Sequence, residues 1–126
     1  MTVRSLALHL CGIKIKIIII MKNTMLLIDD CEMMLRFLAP IFKENYHVVA
    51  LNTPMEAILW LKTNPAPEVI LLDFELPEMT GLELLKHLRQ NISLANVPIL
   101  MLSGVKDAER RWQCFEAGAN DFLSKP

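Results

Sequence analysis

From Thr24 onward the chain alternates two hydrophobic patterns. Short apolar runs at Thr24–Ile28, Tyr46–Leu51, Val69–Leu72 and Val97–Leu102, with a shorter fifth at Asp121–Ser124, are separated by stretches whose apolar residues recur every three or four positions. An apolar run without polar alternation suits a strand covered on both faces, the situation of a parallel sheet flanked by helices. The spacing of Met34, Leu35, Leu38, Ile41 and Phe42 predicts a helix over Cys31–Glu44, kinked at Pro40 because proline lacks the N–H and crowds the preceding turn. Thr53-Pro54-Met55-Glu56 combines an N-cap, a proline at the first helical position and a capping-box glutamate, and predicts a second helix ending by Asn64-Pro65. Thr80-Gly-Leu-Glu83 repeats that box ahead of the stripe Leu82, Leu85 and Leu88. Asp107 caps a fourth helix that runs to Ala117 and stops at Gly118. Strand and helix in alternation predict an α/β fold, a doubly wound five-stranded parallel sheet.

The first residues break this rhythm. Met1–Leu10 reads as a short helix, Cys11-Gly12 as a stop, and Ile13–Ile20 as a strand. Lys14 and Lys16 interrupt the apolar stretch and no small-residue cleavage site follows, so neither a signal peptide nor a membrane span fits. The division expected is an N-terminal extension over residues 1–21, with Met21 or Met25 as natural starts, and one domain over residues 22–126. The 126 residues leave no room for a second functional domain.

Composition narrows the partners. Hydrophobic content is 53%, concentrated in the N-terminal stretch and the strand segments, and a net charge of −1 gives no electrostatic footprint for nucleic acid or an anionic membrane. Cys11, Cys31 and Cys114 are odd in number and far apart, without metal-ligand spacing, as expected of reduced thiols in a cytoplasm. Trp60, Trp112, His47, His87 and the Met33-Met34 pair are assigned to packing or surface.

The chemistry lies at the strand ends, which carry Asp29-Asp30, Asp73, Ser103 and Lys125. In a parallel sheet these ends converge on one edge, where binding crevices form. Three carboxylates held together repel one another unless a cation joins them, and an all-oxygen set suits Mg²⁺. A hydroxyl and an ammonium beside them offer what a phosphoryl group needs, with Asp73 as a nucleophile that forms an acyl phosphate. Taken singly, Asp29-Asp30 fits a helix cap, Ser103-Gly104 a plain turn, Phe122 a core residue and Lys125 a solvated lysine. Their coincidence at four strand ends favours the functional reading.

The ordered pieces Leu27-Ile28-Asp29-Asp30, Leu72-Asp73-Phe-Glu-Leu-Pro77 with Gly81, Leu102-Ser103-Gly104, and Gly118-Ala-Asn-Asp121-Phe122-Leu-Ser-Lys125-Pro126 resemble the receiver domain of bacterial two-component response regulators. The resemblance covers Lys22 to Pro126 and implies the flavodoxin-like, CheY-like fold, here without the family's final helix. It implies that Asp30 and Asp73 bind Mg²⁺ directly, that Asp29 acts mainly through a bound water, and that the Glu75 backbone carbonyl completes the metal site. Ser103 and Lys125 would take phosphoryl oxygens, and Phe122 would be the aromatic switch residue. Cys31, Leu76 and Glu75 depart from the common pattern, and Glu75 places a carboxylate at the mouth of the site.

The function expected is a phosphoacceptor that takes a phosphoryl group on Asp73 from a sensor histidine kinase or phosphotransfer protein and switches a protein-binding face. Its only chemistry would be its own phosphorylation and dephosphorylation. A downstream protein or output domain outside this chain would read the switch, and a homodimer is compatible with it. Two alternatives stand beside it: a small Mg²⁺-dependent phosphatase of the haloacid dehalogenase type, with Glu75 in the place of that family's second aspartate, and a receiver-like module that binds partners without phosphorylation. Two readings of residues 1–20 stand side by side: they pack on the sheet face that the final helix would cover, within one chain or by exchange between two, or they are a disordered extension of a truncated chain whose face is bare.

Overall fold

The protein is described by a computed structural model covering residues 23–105 and 107–126. The readings made for residues 1–22 lie outside these described residues. Five strands alternate with four helices: β1 (Thr24–Ile28), α1 (Glu32–Phe42), β2 (His47–Leu51), α2 (Pro54–Thr63), β3 (Val69–Asp73), α3 (Gly81–Arg89), β4 (Ile99–Ser103), α4 (Ala108–Glu116) and β5 (Asp121–Ser124). The sheet order is β2-β1-β3-β4-β5 and every pairing is parallel. The chain reverses its direction of travel across the sheet after β2, so the crevice at the switch point opens between the carboxyl ends of β1 and β3.

Side chains alternate between faces along each strand, and both faces are buried. Leu26, Ile28, Ile70, Leu72, Ile99, Met101 and Phe122 face one core, closed by Ala57 of α2, Leu84, Leu85 and Leu88 of α3, and Cys114 of α4. Met25, Leu27, Val69, Leu71 and Leu102 face the other, closed by Leu35 and Leu38 of α1. This explains why β1 and β3 read as unbroken apolar runs. Leu123, on β5, remains 40% exposed. Trp60 packs against the first core, while Trp112, Met33, His47 and His87 are exposed.

The helix starts follow their caps. Thr53 Oγ1 accepts the Glu56 N–H at 3.1 Å, and the Glu56 carboxylate reaches back to the Asn52 N–H at 3.2 Å. Thr80 Oγ1 accepts the Glu83 N–H at 3.2 Å, and Asp107 Oδ1 the Glu109 N–H at 2.9 Å. α1 runs through Pro40 to Phe42 and ends two residues earlier than its periodicity suggests.

A further difference from the sequence reading lies ahead of β4. A 3-10 turn at Ile92–Leu94 precedes β4, which starts at Ile99 rather than Val97. Asn91 nucleates the turn by accepting the Ser93 N–H, and the Val97 N–H bonds back to Leu94, so Val97 belongs to the turn and not to the ladder. None of the described helices is long and apolar enough to cross a membrane.

Candidate functional site

β1 and β3 run side by side, and the residues at their carboxyl ends meet. Asp29 follows the last residue of β1 and is fully buried, Asp73 closes β3 and is 1% exposed, and Asp30 stands at the surface between them. One oxygen from each of these three carboxylates lies within 4.8 Å of the other two. Lys125, just past β5, reaches over this cluster with its Nζ 3.0 Å from Asp29 Oδ2 and 3.0 Å from Asp73 Oδ1. The parallel register brings it there: Ser103 pairs with Ser124 and the Lys125 N–H donates to the Ser103 carbonyl at 2.8 Å.

Backbone donors orient the acids. Asp29 Oδ1 accepts the Cys31 N–H at 2.9 Å, and Asp73 Oδ1 accepts the Glu75 N–H at 3.2 Å. Helix capping therefore does not account for the acid pair. Cys31, at the N-cap of α1, makes no side-chain cap, and Asp29 directs its second oxygen into the cluster.

Burial sets the charges. It pushes the Asp73 carboxyl up to about 6, opposed by the hydrogen bonds from Lys125 and the Glu75 amide and reinforced by the Asp29 charge. Burial by itself would lower Lys125, but its hydrogen bonds and attraction to Asp29 and Asp73 win and hold the ammonium above its usual range. The pocket thus keeps a fixed cation beside two buried acids.

Oxygen donors alone, in this number, suit a hard divalent cation. Asp29 Oδ2 supports that fit: it is fully buried and receives no directed hydrogen bond, although the Lys125 ammonium lies within ion-pair distance. That oxygen already meets one cation, but three converging carboxylates share this single ammonium, and a divalent ion beside them would offset the charge that remains.

The remaining candidates surround the cluster. Ser103 is fully buried at the end of β4, where its hydroxyl accepts the Val105 N–H and donates to the Val105 carbonyl, both at 3.2 Å. It is engaged with its own loop. Phe122 lies inside the first core. The Glu75 carboxylate pairs with Arg110 of α4, at 2.9 Å. Gly81 packs directly on the Asp73 main chain: a Cβ there would overlap the Asp73 carbonyl oxygen and the Phe74 Cα, so only glycine lets α3 begin this close.

Two arginines escaped the sequence reading. Arg110 pairs with Glu75, 35 positions away, and Arg89 donates to the carbonyls of Gly118 and Leu94 and to Asn120 Oδ1. Periodicity marks both only as polar helix positions, since their partners are distant in sequence or irregular in structure. Asn120 also accepts the Ile99 N–H, so the Arg89 clamp fixes where β4 begins relative to β5.

Comparison with known proteins agrees with this fold. "Two-component response regulator ORR11" of Oryza sativa subsp. indica is 33% identical over 102 residues, covering 80% of this chain and 69% of that protein. The structure of the Francisella response regulator 1452 receiver domain superposes with a TM-score of 0.74 at 30% identity, covering 82% of this chain and 84% of that one. The Mn(2+)-bound form of response regulator Rcp1 superposes with a TM-score of 0.76 at 25% identity, covering 82% and 81%. A sequence model of the response regulator receiver domain matches residues 25–126, from within β1 to the residue beyond Lys125, and the chain belongs to that family.

Proposed function

We propose that this receiver domain is a phosphoacceptor that takes one phosphoryl group on Asp73 in a Mg²⁺-dependent reaction, with a sensor histidine kinase or phosphotransfer protein in the cytoplasm as donor. The observation that carries it is the junction of three carboxylates within 4.8 Å with the Lys125 ammonium 3.0 Å from Asp29 and Asp73. Asp30 and Asp73 would hold the metal directly, Asp29 through water, and the Glu75 carbonyl would complete the set. Bound there, the ion would offset the negative charge of the phosphoryl oxygens. The solved Rcp1 structure, with Mn²⁺ bound, supports a divalent site in a relative.

Asp73 is the acid of the cluster positioned to act as nucleophile. It ends a central strand, and its carboxylate is held by the Glu75 amide and Lys125. One of its oxygens forms the bond to phosphorus as the bond from phosphorus to the donor breaks and the donor group leaves. Lys125 then exchanges its pair with Asp73 for a phosphoryl oxygen. Ser103 would release Val105 to meet another, and this couples the site to the loop ahead of α4. Phe122 and that loop would carry the change to a downstream protein. The phosphatase alternative loses its acid, because Glu75 is ion-paired with Arg110.

Incubation with Mg²⁺ and acetyl phosphate, read by intact mass, should add one phosphoryl group to the wild type and none to Asp73→Asn. Labelling of that variant at the wild-type level would overturn the assignment, and steady release of phosphate from monoesters would favour the phosphatase.

A further inference from the structure

Phe74 and Glu75 follow Asp73 directly, and both touch Arg110 in the first turn of α4. Arg110 Nη1 donates to Glu75 Oε1 at 2.9 Å, its guanidinium carbon lies 4.7 Å from the centre of the Phe74 ring, and its Nε lies 3.8 Å from Asp107 Oδ2. The Phe74 ring is buried, and the Arg110 side chain is only 32% exposed, against 59% for Glu75. A guanidinium stacked on an aromatic face loses less freedom in pairing than one in open solvent. α4 needs such an anchor. Its only buried side chain is Cys114, near the far end of the helix, while its start, Ala108 to Arg111, puts no side chain into the core. Arg110 therefore joins the segment that follows Ser103 to the segment that follows Asp73.

We propose that Arg110 is a positioning residue that holds the Glu75 carboxylate away from the mouth of the Asp73 site, neutralises it, and ties the start of α4 to the loop after Asp73. The inference rests on the reading of Asp73 as phosphoacceptor. A small phosphodonor arrives as an anion. A carboxylate two residues from Asp73, free to swing and without a partner, repels it, whereas one pinned beneath a guanidinium does not. Because the same arginine is part of α4, any shift of the Ser103 loop that carries the helix also loads the Glu75 pair.

The test uses the full chain with Mg²⁺ and acetyl phosphate, measuring initial labelling rates by intact mass at low and high salt. Arg110→Ala should slow labelling about two- to fivefold at low salt, the range an exposed ion pair commands. The deficit should shrink at high salt, where the freed charge is screened. Adding Glu75→Gln, which keeps that residue's backbone carbonyl, to Arg110→Ala should remove the deficit and its salt dependence. An Arg110→Ala rate equal to wild type overturns the proposal. So does a deficit that ignores salt and is not rescued by Glu75→Gln, since that marks a merely structural role. A wild-type chain that takes no phosphoryl group overturns this proposal together with the phosphoacceptor reading, whereas normal wild-type labelling with an unaffected Arg110→Ala overturns this proposal alone.

Discussion

Asp73 holds its charge at neutral pH against the cost of burial, and the sign of that cost has a measurable consequence. Its folded-state carboxyl titrates near 6 against an ordinary 3.8, so the folded chain binds the proton more tightly than the unfolded one. Stability contributed by this group is therefore present below about pH 4 and declines as pH rises through about 6, leaving a penalty of order 1–3 kcal/mol at neutral pH. Asp73→Asn keeps the shape, removes the charge and leaves Lys125 its partner in Asp29. In metal-free buffer the variant should melt above the wild type at neutral pH, and the two curves should converge near pH 4. A variant less stable than wild type at neutral pH would mean that the Lys125 pair outweighs desolvation.

At the level of elements, the site depends on how closely α3 starts behind β3. The Gly81 N–H donates to the Phe74 carbonyl at 2.7 Å, and a Cβ at Gly81 would collide with main chain, which cannot swing aside as a side chain can. Gly81→Ala should destabilise the fold by about 1–3 kcal/mol, the usual range for overpacking. Because the backbone that must yield is that of Asp73 and Phe74, acetyl phosphate labelling should fall even in the fraction that remains folded. Urea unfolding together with intact mass separates the two effects. By the same measure α4 is held more lightly than α3. One buried thiol, the Asp107 cap and Arg110 fix it, whereas α3 is set into the core by three leucines.

For the whole molecule, metal binding would be linked to folding, since the acids converge only in the native state. Mg²⁺ at about a hundredfold excess over its dissociation constant should stabilise the chain by about 2.7 kcal/mol. Chelation should reverse the gain, and Asp30→Ala should lose most of it if the proposed direct oxygen ligand is gone. The gain should also be smaller at acid pH, where Asp73 takes up its proton and stops acting as a ligand. Thermal unfolding with Mg²⁺ and with chelator checks each point, and an equal Mg²⁺ response in Asp30→Ala would remove that residue from the metal set.

The pattern of apolar runs and helical stripes determined the architecture by itself, because a strand buried on both faces and a helix buried on one each leave a distinct period in the chain. It also singled out Asp29, Asp30, Asp73, Ser103 and Lys125 as candidates, since a polar residue at the end of an apolar strand is conspicuous in sequence and a parallel sheet gathers such ends at one edge. The tertiary structure alone decided how those side chains are engaged: Lys125 bridging Asp29 and Asp73, Ser103 turned to its own loop, Glu75 paired with Arg110. It alone gave Arg110 and Arg89 their meaning, and it moved the start of β4 past the Asn91 turn. The reason is range. Strand and helix signals arise from neighbours within a few residues, whereas an ion pair between positions 75 and 110 exists only once the sheet has set its register.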